Sequence, residues 1–335
     1  MSRHSGTEVL RYTAFSADPE GGNPAGVVLD ASGLDEAAML AVAAELGYSE
    51  SAFLTRQGGP GEAGARDGAG EAGAQDGTGA RDGAGDAGAQ DGTGARDGAG
   101  DAGAQDGTGA REYTIRYFSP KAEVPFCGHA TVATALALAE RDGPGDLVFR
   151  TPAGTVPVTV TREGAELRAT LTSVEPDVLD IAPDDLAEAL AALDWPAADL
   201  DPALPPRIAF AGARHLVLAA ATRERLADLS YDFARLEALM HRLDLTTLQL
   251  VWRQAPDVFH VRDPFPVGGV VEDPATGAAA AAFGAYLRDR SLVPGTAVLT
   301  LHQGEDMGRP GTLTVELRAD DARVRVSGTG TRIGD

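Results

Sequence analysis

Four short polar segments carry residues able to move a proton on a bound anion: Asn23 after Gly21-Gly22, Glu50 within Ser49-Glu50-Ser51, the pair Gly128-His129, and the run from Asp273 through Thr276 and Gly277 to Ala278. A glutamate can take a proton from one carbon and return it to another on the same face, provided its surroundings raise its pKa toward neutrality. Taken alone, each residue has a plainer reading. A glutamate opening a strand is usually a solvated group or a cap. His129 is a helix N-terminal residue, and Asp273 an N-cap worth about 1 kcal/mol. Cys127 is the only cysteine, which excludes an intrachain disulfide and a thiolate-rich zinc cluster. It is a small packing residue, or a thiol made reactive by its helix-terminus location. The remaining histidines, His4, His215, His241, His260 and His302, show no ligand spacing, so no metal site is expected. No phosphate-cradling P-loop is present either.

The elements that must position these residues repeat once along the chain. Gly128-His129-Ala130-Thr131 and Asp273-Pro274-Ala275-Thr276 share an Ala-Thr pair, and each leads into a helix of very small residues, as a helix closely surrounded by sheet requires. Two similar halves are implied, unless the likeness is the chance product of an alanine-rich chain. Halves that face one another point both helix N-termini into one cleft, where free N–H groups and the helix dipole favour a carboxylate. Around these helices, strand-like runs (9–15, 26–29, 155–160 and 167–171) accompany a helical pattern over 34–46. The second half repeats the mixture, with helices near 183–193 and 232–243 and strands at 215–219, 247–252, 258–261, 297–302, 312–317 and 323–326. The fold class is α+β.

One segment stands apart. Over 58–111 a glycine-, alanine- and aspartate-rich unit recurs from Gly64, Gly79 and Gly94, without an aromatic or β-branched aliphatic residue. Such a segment cannot bury enough surface to offset its ordering entropy and reads as a disordered insertion. A calcium-binding repeat is the alternative, but the apolar position that builds a β-roll is missing. Removing the insertion joins 51–55 to 113–118, two runs able to pair as a hairpin with the repeat at its tip.

Fifty acidic against 28 basic residues give a net charge of -22, which repels nucleic acid and anionic membranes. No stretch approaches the roughly 20 apolar residues of a membrane span, and no secretory signal is visible. The single cysteine fits a reducing compartment, so a cytoplasmic location is expected.

Several motifs together carry a family likeness: Gly22-Asn23-Pro24-Ala25, Gly47-Tyr48-Ser49-Glu50-Ser51-Ala52-Phe53, Phe118-Ser119-Pro120, Glu123-Val124-Pro125-Phe126-Cys127-Gly128-His129-Ala130-Thr131, Val271-Glu272-Asp273-Pro274-Ala275-Thr276-Gly277 and Gln303-Gly304-Glu305-Asp306-Met307-Gly308-Arg309-Pro310. The chain resembles the PhzF (phenazine-biosynthesis-like) family throughout, the repeat excepted. The resemblance implies a diaminopimelate epimerase-like fold of two pseudo-symmetric domains, each a sheet curled around a central helix. These would span 1–180 and 181–335, with the C-terminal strand returning to the first. It also implies a cofactor-free isomerase acting on a small acidic molecule, and a homodimer. Glu50 matches the family's acid/base; His129 and Asp273 match residues that contact substrate and steer its protonation. Asn23, Gly128, Arg214, Thr276, Gly277 and Ala278 match substrate-binding positions, Arg214 able to bind either a carboxylate or an acidic neighbour. The phenazine isomerase has serine where this chain has Ala278, which puts the phenazine precursor in doubt as substrate. Related epimerases of this fold use one cysteine per domain, and no second thiol exists here. A noncatalytic small-acid-binding homologue is the other reading.

Overall fold

The computed structural model describes residues 2–4, 7–56 and 109–334. The repeat expected to be disordered lies outside the described residues, except that its expected end at Arg111 already belongs to a strand.

In the first half, β1 (Ser2–His4) pairs with β2 (Thr7–Ala14), and β2 runs antiparallel to β3 (Asn23–Val28). Helix α1 (Glu36–Leu46) then crosses over to β4 (Ser51–Arg56), parallel to β3. β4 pairs antiparallel with β5 (Arg111–Phe118), matching Thr55 to Thr114, the hairpin pairing expected once the insertion is set aside. The short β6 (Glu123–Val124) folds back on β5 and leads into α2 (Gly128–Asp142). β7 (Gly145–Thr151) returns parallel to β5, followed by the antiparallel pairs β7 with β8 (Gly154–Glu163) and β8 with β9 (Glu166–Thr172).

The second half starts with β10 (Asp177–Asp180), then α3 (Pro183–Leu193), and β10 pairs with β11 (Arg207–Phe210). β11 pairs with β12 (Arg214–Ala219); α4 (Arg223–Ala227) and α5 (Phe233–Leu243) cross to β13 (Thr247–Ala255), parallel to β12. β14 (Val258–Pro264) follows, with the two-residue β15 (Glu272–Asp273) against its end. Helix α6 (Gly277–Asp289) then crosses to β16 (Ala297–Gln303), parallel to β14. β17 (Gly311–Arg318) and β18 (Asp321–Arg332) complete the chain.

β18 pairs with β17 over 321–327, with β9 over 325–329 and with β2 over 330–332. The circuit β2-β3-β4-β5-β7-β8-β9-β18 therefore closes into a barrel, with α2 along its axis. Helix α2 is buried without a break from His129 to Ala139. Only a helix of small side chains fits inside an eight-stranded closure, which is why seven of those eleven positions are Ala or Thr. Helix α6 packs against β10 to β13, β17 and β18 of the second half. At Gly284, an added Cβ would lie 2.6 Å from the Val315 side chain.

The halves are in register at a different offset from the one the Ala-Thr pairs suggest. β6 and α2 begin at Glu123 and Gly128, and β15 and α6 begin at Glu272 and Gly277. Cys127 thus corresponds to Thr276 as the residue before each helix, not Thr131 to Thr276. One helical turn of slippage costs a sequence comparison little where both helices are rich in alanine and other small residues, whereas the β6 and β15 pairings place the two helix starts directly.

Candidate active site

Each acidic or polar group is delivered by a chain reversal that its neighbours enforce. Asp35 caps α1, its carboxylate accepting from the Ala38 N–H at 2.8 Å, and Gly47 ends the helix at φ 69°. Three residues later Glu50 sits immediately before β4 and is buried. Gly22 makes the turn into β3 at φ +56°, where a Cβ would strike the Ala14 carbonyl at 2.2 Å, and so places Asn23 at the strand start. Cys127 occupies the N-cap of α2 in an extended conformation, with His129 in the first turn. Asp273 ends β15, and Thr276 occupies the N-cap of α6.

These reversals meet where the two helix starts approach, a Cβ at Gly128 falling 3.7 Å from the Ala278 nitrogen. Asn23 joins the halves. Its amide nitrogen donates to Asp273 Oδ1 (2.8 Å) and to the Ala275 carbonyl (3.0 Å), and lies 3.0 Å from His129 Nδ1. A donor facing Nδ1 assigns the ring proton to Nε2, which lies 3.5 Å from Glu50 Oε2. Cys127 Sγ lies 3.6 Å from the same oxygen and 3.7 Å from His129 Nε2, with the Ser49 hydroxyl 3.4 Å from that nitrogen. On the far side, Thr276 donates to Asp273 Oδ2 at 2.5 Å, and Gln303 bridges the Asp273 carbonyl and the Thr276 N–H.

Burial sets the charge states. It pushes Glu50 above the ordinary carboxylate range, against the Ser49 and Cys127 hydrogen bonds that favour its ionised form. Asp273 rises to about 7, through burial and then the charge of Glu50. His129 falls to about 3 by burial, so it is a neutral imidazole at physiological pH, and burial followed by Glu50 raises the Cys127 thiol. Such a site holds a proton near neutrality instead of committing it to solvent. Because the folded-state pKa of Asp273 lies above its unfolded value, its contribution to stability is full below about pH 4 and lost as pH rises through 7. Denaturant titrations at pH 5 and pH 8 are expected to show Asp273→Asn losing less stability over that interval than the wild type. An equal or larger loss in the variant would contradict the assignment.

A cavity of about 380 Å³ opens beside the same helix starts. Gly128, Gly277 and Ala278 line it, along with Phe126, Phe210 and Leu171, but Glu50, His129 and Asp273 do not. The expected site residues therefore fall into three sets. Asn23, Glu50, His129, Asp273 and Thr276 form one buried polar cluster, while Gly128, Gly277 and Ala278 border the adjoining cavity. Arg214 joins neither. Its guanidinium, 43% exposed, donates to Asp244 Oδ2 at 2.6 Å, an acidic neighbour of the kind that is one of the two readings open to it.

Sequence matching to a protein-family model covers 12–66 and 105–334, and its description is phenazine biosynthesis-like protein. The chain belongs to the phenazine biosynthesis-like family. The match to this family breaks within the glycine-rich repeat and resumes before β5. An uncharacterized isomerase of Escherichia coli K12, YddE, is 29% identical over 332 residues, covering 96% of this chain and 95% of its own. The trans-2,3-dihydro-3-hydroxyanthranilate isomerase of Pseudomonas fluorescens is 27% identical over 325 residues, with 96% and 95% covered. Among solved structures, a PhzF-family phenazine biosynthesis protein of Bacillus anthracis superposes with a TM-score of 0.73 at 22% identity, covering 98% of each chain.

Sequence reasoning about this family member overlooked other buried groups. The fully buried Asp263 faces the Gln249 amide, whose nitrogen donates at 2.8 and 3.2 Å once the amide is assigned with that atom toward the carboxyl, and burial keeps the carboxyl well above the usual range. Arg262 makes a two-point ion pair with Glu272, at 2.9 and 2.5 Å. Arg309, inside the late motif, donates to the Gly21 and Gly22 carbonyls and ties that motif to the turn presenting Asn23. Cys127, Glu50 and His129 bring one donor atom each within 4.8 Å of one another, a grouping that ligand spacing along the chain did not suggest. No helix among the described residues is long and apolar enough to cross a membrane.

Proposed function

We propose that this chain is an isomerase that moves a proton on a small carboxylate-bearing substrate, with Glu50 as the single acid/base, in a cleft between halves that divide near residue 180. The carrying observation is the placement of Glu50: a buried carboxylate with raised pKa, facing a neutral His129 and the Cys127 thiol, beside two helix starts. The N–H groups at Gly128, Gly277 and Ala278 are suited to hold the substrate carboxylate, since the first-turn N–H groups of a helix lack intrahelical partners. His129 Nε2–H and the Asp273–Thr276 pair would then orient the reacting carbons and hold the migrating proton's counter-charge. Removal and return on one face require one base only, and the names of the relatives support isomerisation. Thiol chemistry from two faces lacks its second partner, because the counterpart of Cys127 is Thr276.

The test is NMR in deuterated buffer with a panel of cyclic dienes and hydroxy or amino carboxylates. Exchange or isomerisation of at least one member is expected; binding of a member with no exchange of any would replace the enzyme by a small-acid-binding homologue.

Ala278 is the feature that favours that second reading, since it lines the cavity at the position where the phenazine isomerase carries a serine. Turnover of trans-2,3-dihydro-3-hydroxyanthranilate is accordingly expected to be slow and to rise about tenfold in Ala278→Ser, the worth of one restored hydrogen bond. Steady-state kinetics on the two proteins check this, and an unchanged kcat/KM would remove Ala278 from the determinants of specificity.

A further inference from the structure

We propose that the cavity beside the helix starts holds the body of the substrate and that this body is apolar, so that the substrate is a carboxylic acid carrying an alkyl or aryl extension and no second charge. The placement of its carboxylate rests on the isomerase reading above; the chemistry of the cavity does not. The strand plans of the two halves match, so each polar group of the cluster has a counterpart position in the other half. Gly128 and Gly277 open the two central helices, which matches His129 with Ala278. The β2–β3 hairpin ends on the pair Ala14 and Asn23. The β11–β12 hairpin ends on Ala211 and Ala213, the N–H of the first donating to the carbonyl of the second at 3.3 Å around Gly212. Asn23 is thus matched by Ala213, and Asp273, the last residue of β15, by Val124, the last of β6. An amide, an imidazole and a carboxylate on one side of the junction answer to apolar side chains on the other. Ala278 and Gly212 line the cavity, together with Phe126, two residues beyond Val124, whereas Glu50, His129 and Asp273 do not. The cavity therefore occupies the side of the helix starts away from the polar cluster. A carboxylate held at Gly128, Gly277 and Ala278 turns its reacting carbons to Glu50 and its remaining substituents into the cavity.

The walls narrow the chemistry. At about 380 Å³ the cavity falls within the range of small-molecule sites, roughly 300–1,000 Å³. Val156, Leu171, Phe210, Ala281 and Val326 join Phe126 in lining it with hydrocarbon, and among the described residues no acidic side chain does so. An ammonium group placed there would lose its water without meeting a counter-charge, whereas a methylene or a ring gains by leaving water. The charged liner, Arg323, already gives Nε and Nη2 to the Asp321 carboxylate at 3.0 Å each, so a second substrate carboxylate would have to displace Asp321 from it. The Ser173 hydroxyl is likewise committed, donating to the Val174 carbonyl at 2.7 Å and accepting from the Val324 N–H at 2.9 Å. Thr155 and Thr172, the other polar side chains at the wall, carry hydroxyls and no charge.

Isothermal titration calorimetry of the full chain with unreactive saturated acids tests the assignment. Affinity is expected to rise about fourfold per added methylene from acetate to hexanoate, and 3-phenylpropanoate to bind at least about tenfold more tightly than acetate. The acid 5-aminopentanoate has the length of hexanoate but ends in an ammonium, and is expected to bind at least about tenfold more weakly than hexanoate. Ala281→Leu narrows the cavity from α6 and is expected to remove most of the gain of 3-phenylpropanoate over acetate. Val174 lines the cavity from a position 52% exposed, so its substitution leaves the core intact. Val174→Asp is expected to bring 5-aminopentanoate closer to hexanoate by about threefold. Equal affinity along the series, or no binding of any acid, overturns the cavity assignment. A steep dependence on chain length without proton exchange on any member of the exchange panel refutes the isomerase reading and leaves the apolar site standing. Exchange on a small polar acid together with a flat series does the reverse.

Discussion

Glu50→Gln lowers the rate of substrate proton exchange by about 10²- to 10⁴-fold, the usual worth of a positioned general acid/base. Its KM changes little, because the amide keeps the size of the carboxylate and the helix-start N–H groups are untouched. Folding is not the cause of the loss. Burial raises the folded-state pKa of Glu50 above its unfolded value, so its stabilising contribution is present below the unfolded pKa and lost as pH rises through the folded one. At pH 8 a neutral glutamine removes that penalty, and the thermal midpoint of the variant is expected to equal or exceed that of the wild type. Single-turnover exchange and a melting curve at pH 8 check both statements. Undiminished exchange in the variant would move the proton to another group, and among the described residues the titratable side chains that interact with it are Cys127, His129 and Asp273.

Arg262→Met carries the largest expected cost to stability. The guanidinium is 9% exposed and makes two bonds to the Glu272 carboxylate and a third, at 2.6 Å, to the Ala227 carbonyl. Glu272 is itself buried and adjoins Asp273, so removing the cation leaves two neighbouring acids and the still deeper Asp263 without a buried positive charge among them. Breaking a buried pair from one side costs about 3–5 kcal/mol. Glu272→Gln in the same chain removes the orphaned charge, and the double variant is expected to recover a large part of that loss. Urea denaturation of the two single variants and the double variant measures the coupling; strictly additive losses would mean that the pair does not act as a unit. Because Glu272 raises Asp273, the single variant is also expected to move the upper limb of any pH–activity profile to higher pH.

The strand and helix elements were legible where one face of the chain is apolar and the other polar. The helix expected over 183–193 and the strands expected at 167–171 and 297–302, observed as Glu166–Thr172 and Ala297–Gln303, are examples, each alternating or periodic enough to choose its own conformation. β6, β15 and β10 gave no such signal. They are two to four residues long, and their extended shape is imposed by β5, β14 and β11 through hydrogen bonds, which no local pattern records. Helices α2 and α6 were visible as alanine-rich runs, but their mutual register was not, because alanine carries no mark of which turn it occupies.

The residue types were likewise written in the chain: Glu50 beside a strand, His129 at a helix start and Asp273 before a Thr-Gly turn all stood out by motif. Their meeting depends on contacts between residues far apart in the chain, 79 positions for Glu50 and His129. The Asn23 amide reaches His129 and Asp273 from 106 and 250 residues away, and Arg309 holds the Gly21–Gly22 turn from 288 and 287. Arg214, which a motif grouped with them, instead pairs with Asp244 outside the cluster. By itself the sequence determined the elements and the chemistry available, since these depend on side-chain type and spacing. Only the tertiary structure decided which groups share a desolvated pocket, and with it the charge states of Glu50, His129 and Asp273, because burial and proximity are properties of the folded chain and not of any segment in it.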